Sequence, residues 1–156
     1  MRIVVVGGSA SNVGKTRLAC RLIGRERNRA DVVALKVSVR EADDAETVVR
    51  VLLPGDDVQH RRDTAKLIDA GARAVVWVTA GRVRVRDGLA QGLATARTMH
   101  PGSVVIESTS AGIELHRYTQ SWFVAGDGPW KPWADRHRVR ADIVVPSADV
   151  ESRALD

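Results

Sequence analysis

Short apolar runs recur along the chain, each bounded by glycine, proline or charged residues. The runs are rich in β-branched residues and are nearly continuous rather than alternating. Such runs are typical of strands that are buried on both faces of a parallel sheet. We therefore predict six strands, which are Ile3–Val6, Val32–Val39, Ala74–Val78, Val104–Ile106, Trp122–Ala125 and Ile143–Val145.

Most of the stretches between these runs carry apolar residues at helical spacing. They predict helices over Lys15–Arg27, Asp63–Ala70 and Arg86–Met99, and one more short helix within residues 41–58, closed by Pro54-Gly55. Alternating strands and helices indicate βαβ units. The expected fold is α/β, with three layers in which helices flank a mostly parallel sheet. Residues 125–140 contain two glycines and two prolines and are expected to be irregular.

Length and composition agree with a globular protein. The 156 residues correspond to one domain spanning 1–156, and 44% of them are hydrophobic. The net charge of +5 is carried by arginines that are scattered among acids, so nucleic-acid binding is not expected. Lysine is scarce, since only four of the 24 basic residues are Lys.

The sequence also bears on location. No apolar run approaches the roughly 20 residues of a membrane span, and the apolar run in residues 1–8 is too short for a secretory signal. The one cysteine, Cys20, has no partner for an internal disulfide and lies on the apolar side of the first helix, where a core position is expected. We expect a cytoplasmic protein.

The segment Gly8-Ser9-Ala10-Ser11-Asn12-Val13-Gly14-Lys15-Thr16 follows the first strand and opens the first helix. A glycine-permitted loop in this position presents backbone N–H groups to phosphates, and the helix N-terminus adds partial positive charge. In such a P-loop, Lys15 reaches the terminal phosphates and the Thr16 hydroxyl binds Mg²⁺. The expected nucleotide-binding residues are Ser11, Asn12, Val13, Gly14, Lys15 and Thr16. The simpler alternative is an ordinary strand–turn–helix connection with a coincidental lysine.

The spacing of this loop is unusual. The common pattern, Gly-x4-Gly-Lys-Ser/Thr, requires glycine at position 9, but Ser9 stands there and Gly8 precedes it. Five residues therefore separate Gly8 from Gly14. The departure keeps open a degenerate loop that binds only anions.

The five-residue loop resembles those of dethiobiotin synthetase and the cobyrinic-acid amidotransferases, whose class also holds MinD. Residues 62–72, a helix ending Ala-Gly-Ala, and Val104-Val105-Ile106-Glu107 resemble molybdopterin-guanine dinucleotide biosynthesis protein B. The resemblance implies a P-loop NTPase fold. It departs from that family where Ser108 replaces the glycine after the strand-end glutamate. Ala10 replaces the extra loop lysine of MinD-like ATPases, and no Asn-Lys-x-Asp guanine signal is present.

Three residues elsewhere are candidates for chemistry at the same sheet edge. Glu107 ends a strand beside the first and is expected to reach Mg²⁺ or to act in catalysis with Lys15; the alternative is a solvent-exposed loop acid. Lys36 interrupts an apolar run and is a candidate contact to substrate anion or phosphate; the alternative is that it marks where the strand leaves the core. Asp63 begins a helix and is either its N-cap or a contact to substrate or metal.

Trp130-Lys131-Pro132-Trp133 forms a rigid turn after two glycines. Trp130 and Lys131 are candidate substrate contacts, in a base-stacking wall or a lid. The alternative is a small satellite core that covers a sheet edge. The histidines His60, His100, His116 and His137 lack metal-ligand spacing, so no zinc site is expected.

Together these features predict a Mg²⁺-dependent protein that binds a nucleoside triphosphate, either ATP or GTP. The leading hypothesis is an NTPase or a small-molecule kinase-like enzyme in cofactor or metabolite biosynthesis. Its expected partners are the nucleotide, a small-molecule acceptor or a partner enzyme, and a second copy of the chain in a homodimer. The alternative, implied by the molybdopterin resemblance, is a nucleotide-binding adaptor that serves a partner enzyme with little turnover of its own.

Overall fold

The computed structural model describes residues 1–40, 42–56, 62–115 and 117–155. Seven strands of this part form one sheet in the order β3-β4-β2-β5-β1-β6-β7. All neighbouring strands are parallel except β3 and β4, which are antiparallel. The strands are β1 (Arg2–Gly8), β2 (Val32–Val39), β3 (Val48–Leu52), β4 (Ala74–Ala80), β5 (Ser103–Glu107), β6 (Gln120–Ala125) and β7 (Ile143–Pro146).

Helices cover both faces of the sheet. They are α1 (Lys15–Glu26), α2 (Arg62–Asp69), α3 (Val85–Thr98), α4 (Ala111–Glu114) and α5 (Ala134–Arg138). In β1, Val4 and Val6 pack with Leu18 of α1 in one core, whereas Ile3 and Val5 pack with Leu89 of α3 in the other. Successive strand residues thus enter opposite cores, as expected for a strand buried on both faces. The predicted three-layer α/β fold is confirmed.

The short helix predicted within residues 41–58 is wrong, because Val48–Leu52 is the edge strand β3. It pairs antiparallel with β4, in a register that runs from Val48 opposite Thr79 to Leu52 opposite Val75. Three of its five residues are valine, and β-branched side chains favour strands. Residues 41, 57 and 58 of the predicted segment lie outside the described residues.

The segment predicted to be irregular contains the five-residue helix α5, which lacks the length for a recognisable apolar period. Cys20 is half-buried against the core. Burial raises the pKa of its thiol to about 11. No helix in the described ranges is both long and apolar enough to cross a bilayer.

Candidate functional site

The connection from β1 to α1 has the backbone that a phosphate-binding loop requires. Gly14 has φ +100° and Asn12 has φ +59°, both in the left-handed region that favours glycine and tolerates asparagine. Helix α1 begins at Lys15, and no side chain caps it at Gly14. The free amide groups at such a helix start can donate hydrogen bonds to an anion. The partial positive charge of the helix end attracts the anion further.

Three residues from α1, β2 and β5 meet below this loop. The Thr16 hydroxyl donates a hydrogen bond of 2.9 Å to Oε1 of Glu107. The ammonium of Lys36 lies 3.3 Å and 3.2 Å from the two carboxylate oxygens of Glu107. Adjacent strands β2 and β5 place Lys36 and Glu107 directly opposite each other in register. The sheet itself therefore holds this pair, which is largely shielded from solvent.

Asp63 of α2 completes the charged cluster. Its Oδ2 accepts a hydrogen bond of 2.9 Å from Lys36, and its Oδ1 lies 3.6 Å from the ammonium of Lys66, one helical turn further on. Partial burial acts to raise the pKa of Asp63, but the hydrogen bond and charge of Lys36 outweigh it and hold that pKa below its usual value. Asp63 is therefore ionised and oriented into the cluster.

The ammonium of Lys15 donates a hydrogen bond to the carbonyl oxygen of Ala10, within its own loop. Burial lowers the pKa of Lys15, and the nearby charge of Lys131 lowers it further, while Glu107 acts in the opposite direction. Lys15 and Lys131, which are far apart in sequence, thus contribute positive charge to the same part of the site. That region is where the terminal phosphates of a nucleotide bind in a P-loop.

These side chains line a cavity of about 630 Å³. Most of the residues singled out from sequence contribute to it. The cavity-lining residues are Ser11, Asn12, Gly14, Lys15, Thr16, Arg17, Lys36, Val37, Ser38, Val39, Asp63, Lys66, Glu107, Ser108, Thr109, Ser110, Lys131, Trp133 and Ser147. Val13 is instead buried in the core, so only its backbone remains for a nucleotide.

Trp130 and Trp133 occupy different environments. Trp130 packs on Phe123, with ring centroids 5.5 Å apart, and its Nε1 donates to the carbonyl oxygen of Gly126. It does not line the cavity as a predicted substrate contact would; Trp133 does. The guanidinium of Arg82 stacks over the Trp133 ring at 4.8 Å. Trp133 therefore contributes to the wall of the cavity, and Trp130 packs on β6 beside it.

Several cavity residues were missed from sequence. Lys66 lies three positions after Asp63 on α2, so helical spacing alone would have placed both on one face. Ser147 follows β7 and donates to the carbonyl oxygen of Val13. Arg17 carries no comparable signal, because arginines recur throughout this chain.

Thr109 and His137 support the loop from beneath. The Thr109 hydroxyl donates to the carbonyl oxygen of Gly8 and accepts from its N–H, at 3.0 Å and 3.2 Å. His137 is fully buried, and a Cβ on Gly7 would lie 2.0 Å from its ring. Glycine at position 7 is therefore required by close packing. The same burial lowers the pKa of His137 to about 4.

No three His, Cys, Asp or Glu side chains in the described part of the chain are grouped to hold a metal ion. His60 and His116 lie outside the described residues. A nucleotide-bound Mg²⁺ takes one or two protein ligands beside the phosphates. The Thr16 hydroxyl and a carboxylate oxygen of Glu107 lie 2.9 Å apart beside the loop.

Comparison with known proteins supports the fold. No protein-family model matches the sequence, and no curated protein matches it. Among solved structures, the chain is similar to LpxK from Aquifex aeolicus, crystallised in complex with ATP, with a TM-score of 0.61 and 17% identity. The match covers 100% of this chain and 51% of LpxK, so the chain spans about half the length of that protein. At this identity the likeness shows a shared P-loop fold.

Proposed function

We propose that this chain binds a Mg²⁺–nucleoside triphosphate at Gly8–Thr16 and transfers the terminal phosphoryl group to a small-molecule acceptor. The observation that carries the proposal is the contact between Thr16 and Glu107. A loop hydroxyl and a strand-end carboxylate lie 2.9 Å apart at the foot of a cavity that Lys15 also lines. This combination of a phosphate loop, a lysine and two hard oxygen ligands suits phosphoryl transfer, which depends on positioning and charge stabilisation.

Each residue has a part in this proposal. The loop amides and Lys15 hold the β- and γ-phosphates, and Lys131 adds positive charge beside Lys15. Thr16 and Glu107 would hold Mg²⁺, which neutralises phosphate charge when bound. Lys36 maintains the orientation of Glu107 by contacting both of its oxygens.

The acceptor occupies the side of the cavity formed by β2, α2 and the turn after β6. Asp63 and Lys36 offer an ionised carboxylate and an ammonium there, and Lys131 and Trp133 of the turn also line the cavity. The hydroxyl-bearing residues that follow Glu107, at positions 108–110, line the floor. The acceptor hydroxyl oxygen forms a bond to the γ-phosphorus as the bond between that phosphorus and the β–γ bridging oxygen breaks. The nucleoside diphosphate leaves with the bonding electron pair, and the hydroxyl proton passes to an oxygen of the transferred phosphoryl group.

ATP is the first nucleotide to test, since LpxK was crystallised with ATP and this chain lacks Asn-Lys-x-Asp. GTP is the comparison. A role in cofactor biosynthesis is supported by the molybdopterin-related resemblance of residues 62–72 and 104–107.

Calorimetry with Mg²⁺ and either nucleotide tests the proposal. We expect Lys15→Ala to weaken binding by about 100-fold, which corresponds to ~2.7 kcal/mol. Arg73→Ala is the matched control, because Arg73 forms an exposed ion pair with Asp31 just before β4, at the opposite edge of the sheet. Equal nucleotide binding by wild type and Lys15→Ala would refute the site.

A second function is favoured by the state of the carboxylates. Lys36 contacts both Asp63 and Glu107, and neither is left as an unpaired base for activating water. An adaptor that holds nucleotide and passes a ligand to a partner enzyme needs no such base. Release of phosphate or phosphorylated product above the buffer blank, measured with Mg²⁺-ATP and candidate acceptors, supports the enzyme; nucleotide binding without turnover supports the adaptor.

A further inference from the structure

All four lysines of the chain line one cavity. Lys15, Lys36, Lys66 and Lys131 come from α1, β2, α2 and the turn after β6. The chain has 20 arginines, and Arg17 is the one that lines the cavity among the described residues. Lysine differs from arginine in offering a compact ammonium on a flexible stem. The concentration of lysine here therefore marks a place where point charges are needed, in a protein whose other basic positions are arginine.

The four lysines divide into two pairs. Lys15 and Lys131 both line the cavity beside the phosphate loop, where the Lys131 N–H donates to the carbonyl oxygen of Ser9 at 2.8 Å. Lys36 and Lys66 both contact Asp63, at 2.9 Å and 3.6 Å. The first pair adjoins the phosphate loop, and the second stands on the wall formed by β2 and α2.

The triphosphate accounts for the first pair only. In a P-loop, the loop amides, one lysine and Mg²⁺ bind the phosphates, and Lys131 already supplements that lysine. The second pair has one shared carboxylate, Asp63, beyond the contact of Lys36 to Glu107. The cavity as a whole holds five cationic side chains (Lys15, Arg17, Lys36, Lys66 and Lys131) against two carboxylates (Asp63 and Glu107).

We propose that Lys36 and Lys66 form a second anion subsite, separate from the phosphate loop, that binds an oxyanion group of the acceptor. This inference rests on the proposed function for the identity of the ligand as acceptor. The group is a phosphate monoester or a carboxylate, since either oxyanion pairs with ammonium donors. Asp63, between the two lysines, accepts a hydrogen bond from a hydroxyl or amine on the same ligand.

The burial of each lysine supports different parts in the subsite. The Lys36 side chain is 15% exposed and fixed by two carboxylates, so its ammonium is preorganised. The Lys66 side chain is 61% exposed and its nearest carboxylate oxygen is 3.6 Å away, beyond a good hydrogen bond. Lys66 therefore keeps donors for an incoming ligand and is able to move towards it at low cost.

The scarcity of lysine makes a direct test practical. Protein labelled with ¹³C at lysine Cε gives four side-chain signals, each assigned by a Lys→Arg variant. Inorganic phosphate and malonate are titrated separately into the protein saturated with Mg²⁺-ADP, which occupies the phosphate loop. Sodium chloride at the same ionic strength corrects for screening of exposed charges.

We expect phosphate or malonate to shift the signals of Lys36 and Lys66 while Lys15 remains at its ADP-bound position. The more tightly bound probe identifies the oxyanion. Lys66→Gln should weaken that binding about tenfold, or ~1.4 kcal/mol, and Arg73→Gln should leave it unchanged. Since Lys66 is exposed, its variant is expected to fold.

Two results overturn the subsite. One is a probe-induced shift confined to Lys15 and Lys131, and the other is a Lys36 and Lys66 response no larger than that to sodium chloride. Failure of the proposed function looks different. If Mg²⁺-ADP and Mg²⁺-ATP leave Lys15 unshifted but phosphate shifts Lys36 and Lys66, the nucleotide site fails and the anion subsite stands.

Discussion

The Ser9 hydroxyl accepts a hydrogen bond of 2.9 Å from the backbone N–H of Gly126, and this bond joins the phosphate loop to the turn after β6. The Ser9 carbonyl oxygen also accepts a hydrogen bond from the N–H of Lys131 at 2.8 Å. The N–H of Ser9 donates to the carbonyl oxygen of Val124. Ser9 is fully buried. The residue that breaks the common P-loop spacing therefore holds the segment that carries Lys131 and Trp133 to the cavity.

Replacing Ser9 by glycine tests this role. Ser9→Gly restores the Gly-x4-Gly-Lys-Thr spacing but removes the acceptor of the Gly126 N–H. We expect the free energy of unfolding to fall by about 1–3 kcal/mol, because a buried donor loses its partner and glycine adds chain entropy. Urea denaturation followed by tryptophan fluorescence measures the change. Ser11→Gly, at an exposed position of the same loop, is the control. Equal losses of unfolding free energy in the two variants would contradict a stabilising role of the bond between Ser9 and Gly126.

Thr16→Val should separate metal from nucleotide binding. The variant keeps the shape of the side chain and loses the hydroxyl that contacts Glu107. We expect ATP affinity in Mg²⁺ to fall about tenfold, with little change in EDTA, because the hydroxyl acts through the metal. Calorimetry under both conditions measures the two affinities, and Thr16→Ser should retain the Mg²⁺ effect. An equal loss in Mg²⁺ and EDTA argues for a purely structural threonine.

The sequence predicts best those features in which one residue type has one strong physical role. The strand-end position of Glu107 and the interruption of an apolar run by Lys36 were both readable, because burying an unpaired charge is costly. Their direct pairing was not, since the register between β2 and β5 depends on strands separated by 63 residues of chain between Val39 and Ser103. Strand order and register are properties of the assembled sheet.

The features that the sequence leaves unresolved have local causes. Residues 48–52 gave too short an apolar run to distinguish an edge strand from a helix, and tertiary pairing with β4 decided it. Trp130 and Trp133 are equally plausible ligand contacts in sequence. Only the packing of Trp130 on Phe123 separates them.

Glu26 should make stability dependent on acid pH. Its side chain is fully buried, with Arg2 at 3.2 Å, Arg25 at 2.9 Å and the Ser103 hydroxyl at 3.0 Å. Burial acts to raise the pKa of Glu26, but these hydrogen bonds and charges outweigh it and hold the pKa below its usual value. The resulting stability is present above the unfolded-state pKa of about 4.3 and is lost as pH falls through the lower folded-state pKa.

Glu26→Gln removes that charge and leaves two arginines without it. We expect a loss of about 3 kcal/mol at pH 7, and a smaller difference from wild type below pH ~4, in urea titrations across pH. The control is Glu151→Gln, whose ion pair with Arg17 is 63% exposed on both sides and should contribute less than about 1 kcal/mol. A constant difference between wild type and Glu26→Gln at all pH values would count against a charged Glu26.

His137 should make stability depend on pH over a higher pH range than Glu26 does. The buried ring lies 2.8 Å from the Ser121 hydroxyl and packs edge-on against Phe123. Burial lowers its pKa to about 4, whereas an unfolded histidine titrates near about 6.5. Between these values the unfolded chain binds the extra proton, so stability falls as pH falls from 6.5 to 4, by about 3 kcal/mol in total.

His137→Gln isolates this effect, because glutamine retains a hydrogen-bonding group for Ser121 and does not titrate in this range. We expect the variant to be less stable than wild type at pH 7, since glutamine fills the ring's space imperfectly. Between pH 6.5 and 4 its free energy of unfolding should nevertheless change less than that of wild type, because the proton that the unfolded chain binds at His137 is no longer taken up. Urea denaturation at half-unit pH steps measures both slopes. His100→Gln, at an exposed position, is the control for replacing a histidine. If His137→Gln keeps the wild-type slope, His137 is protonated in the folded protein, and the packing of its ring beneath Gly7 then accommodates a charge.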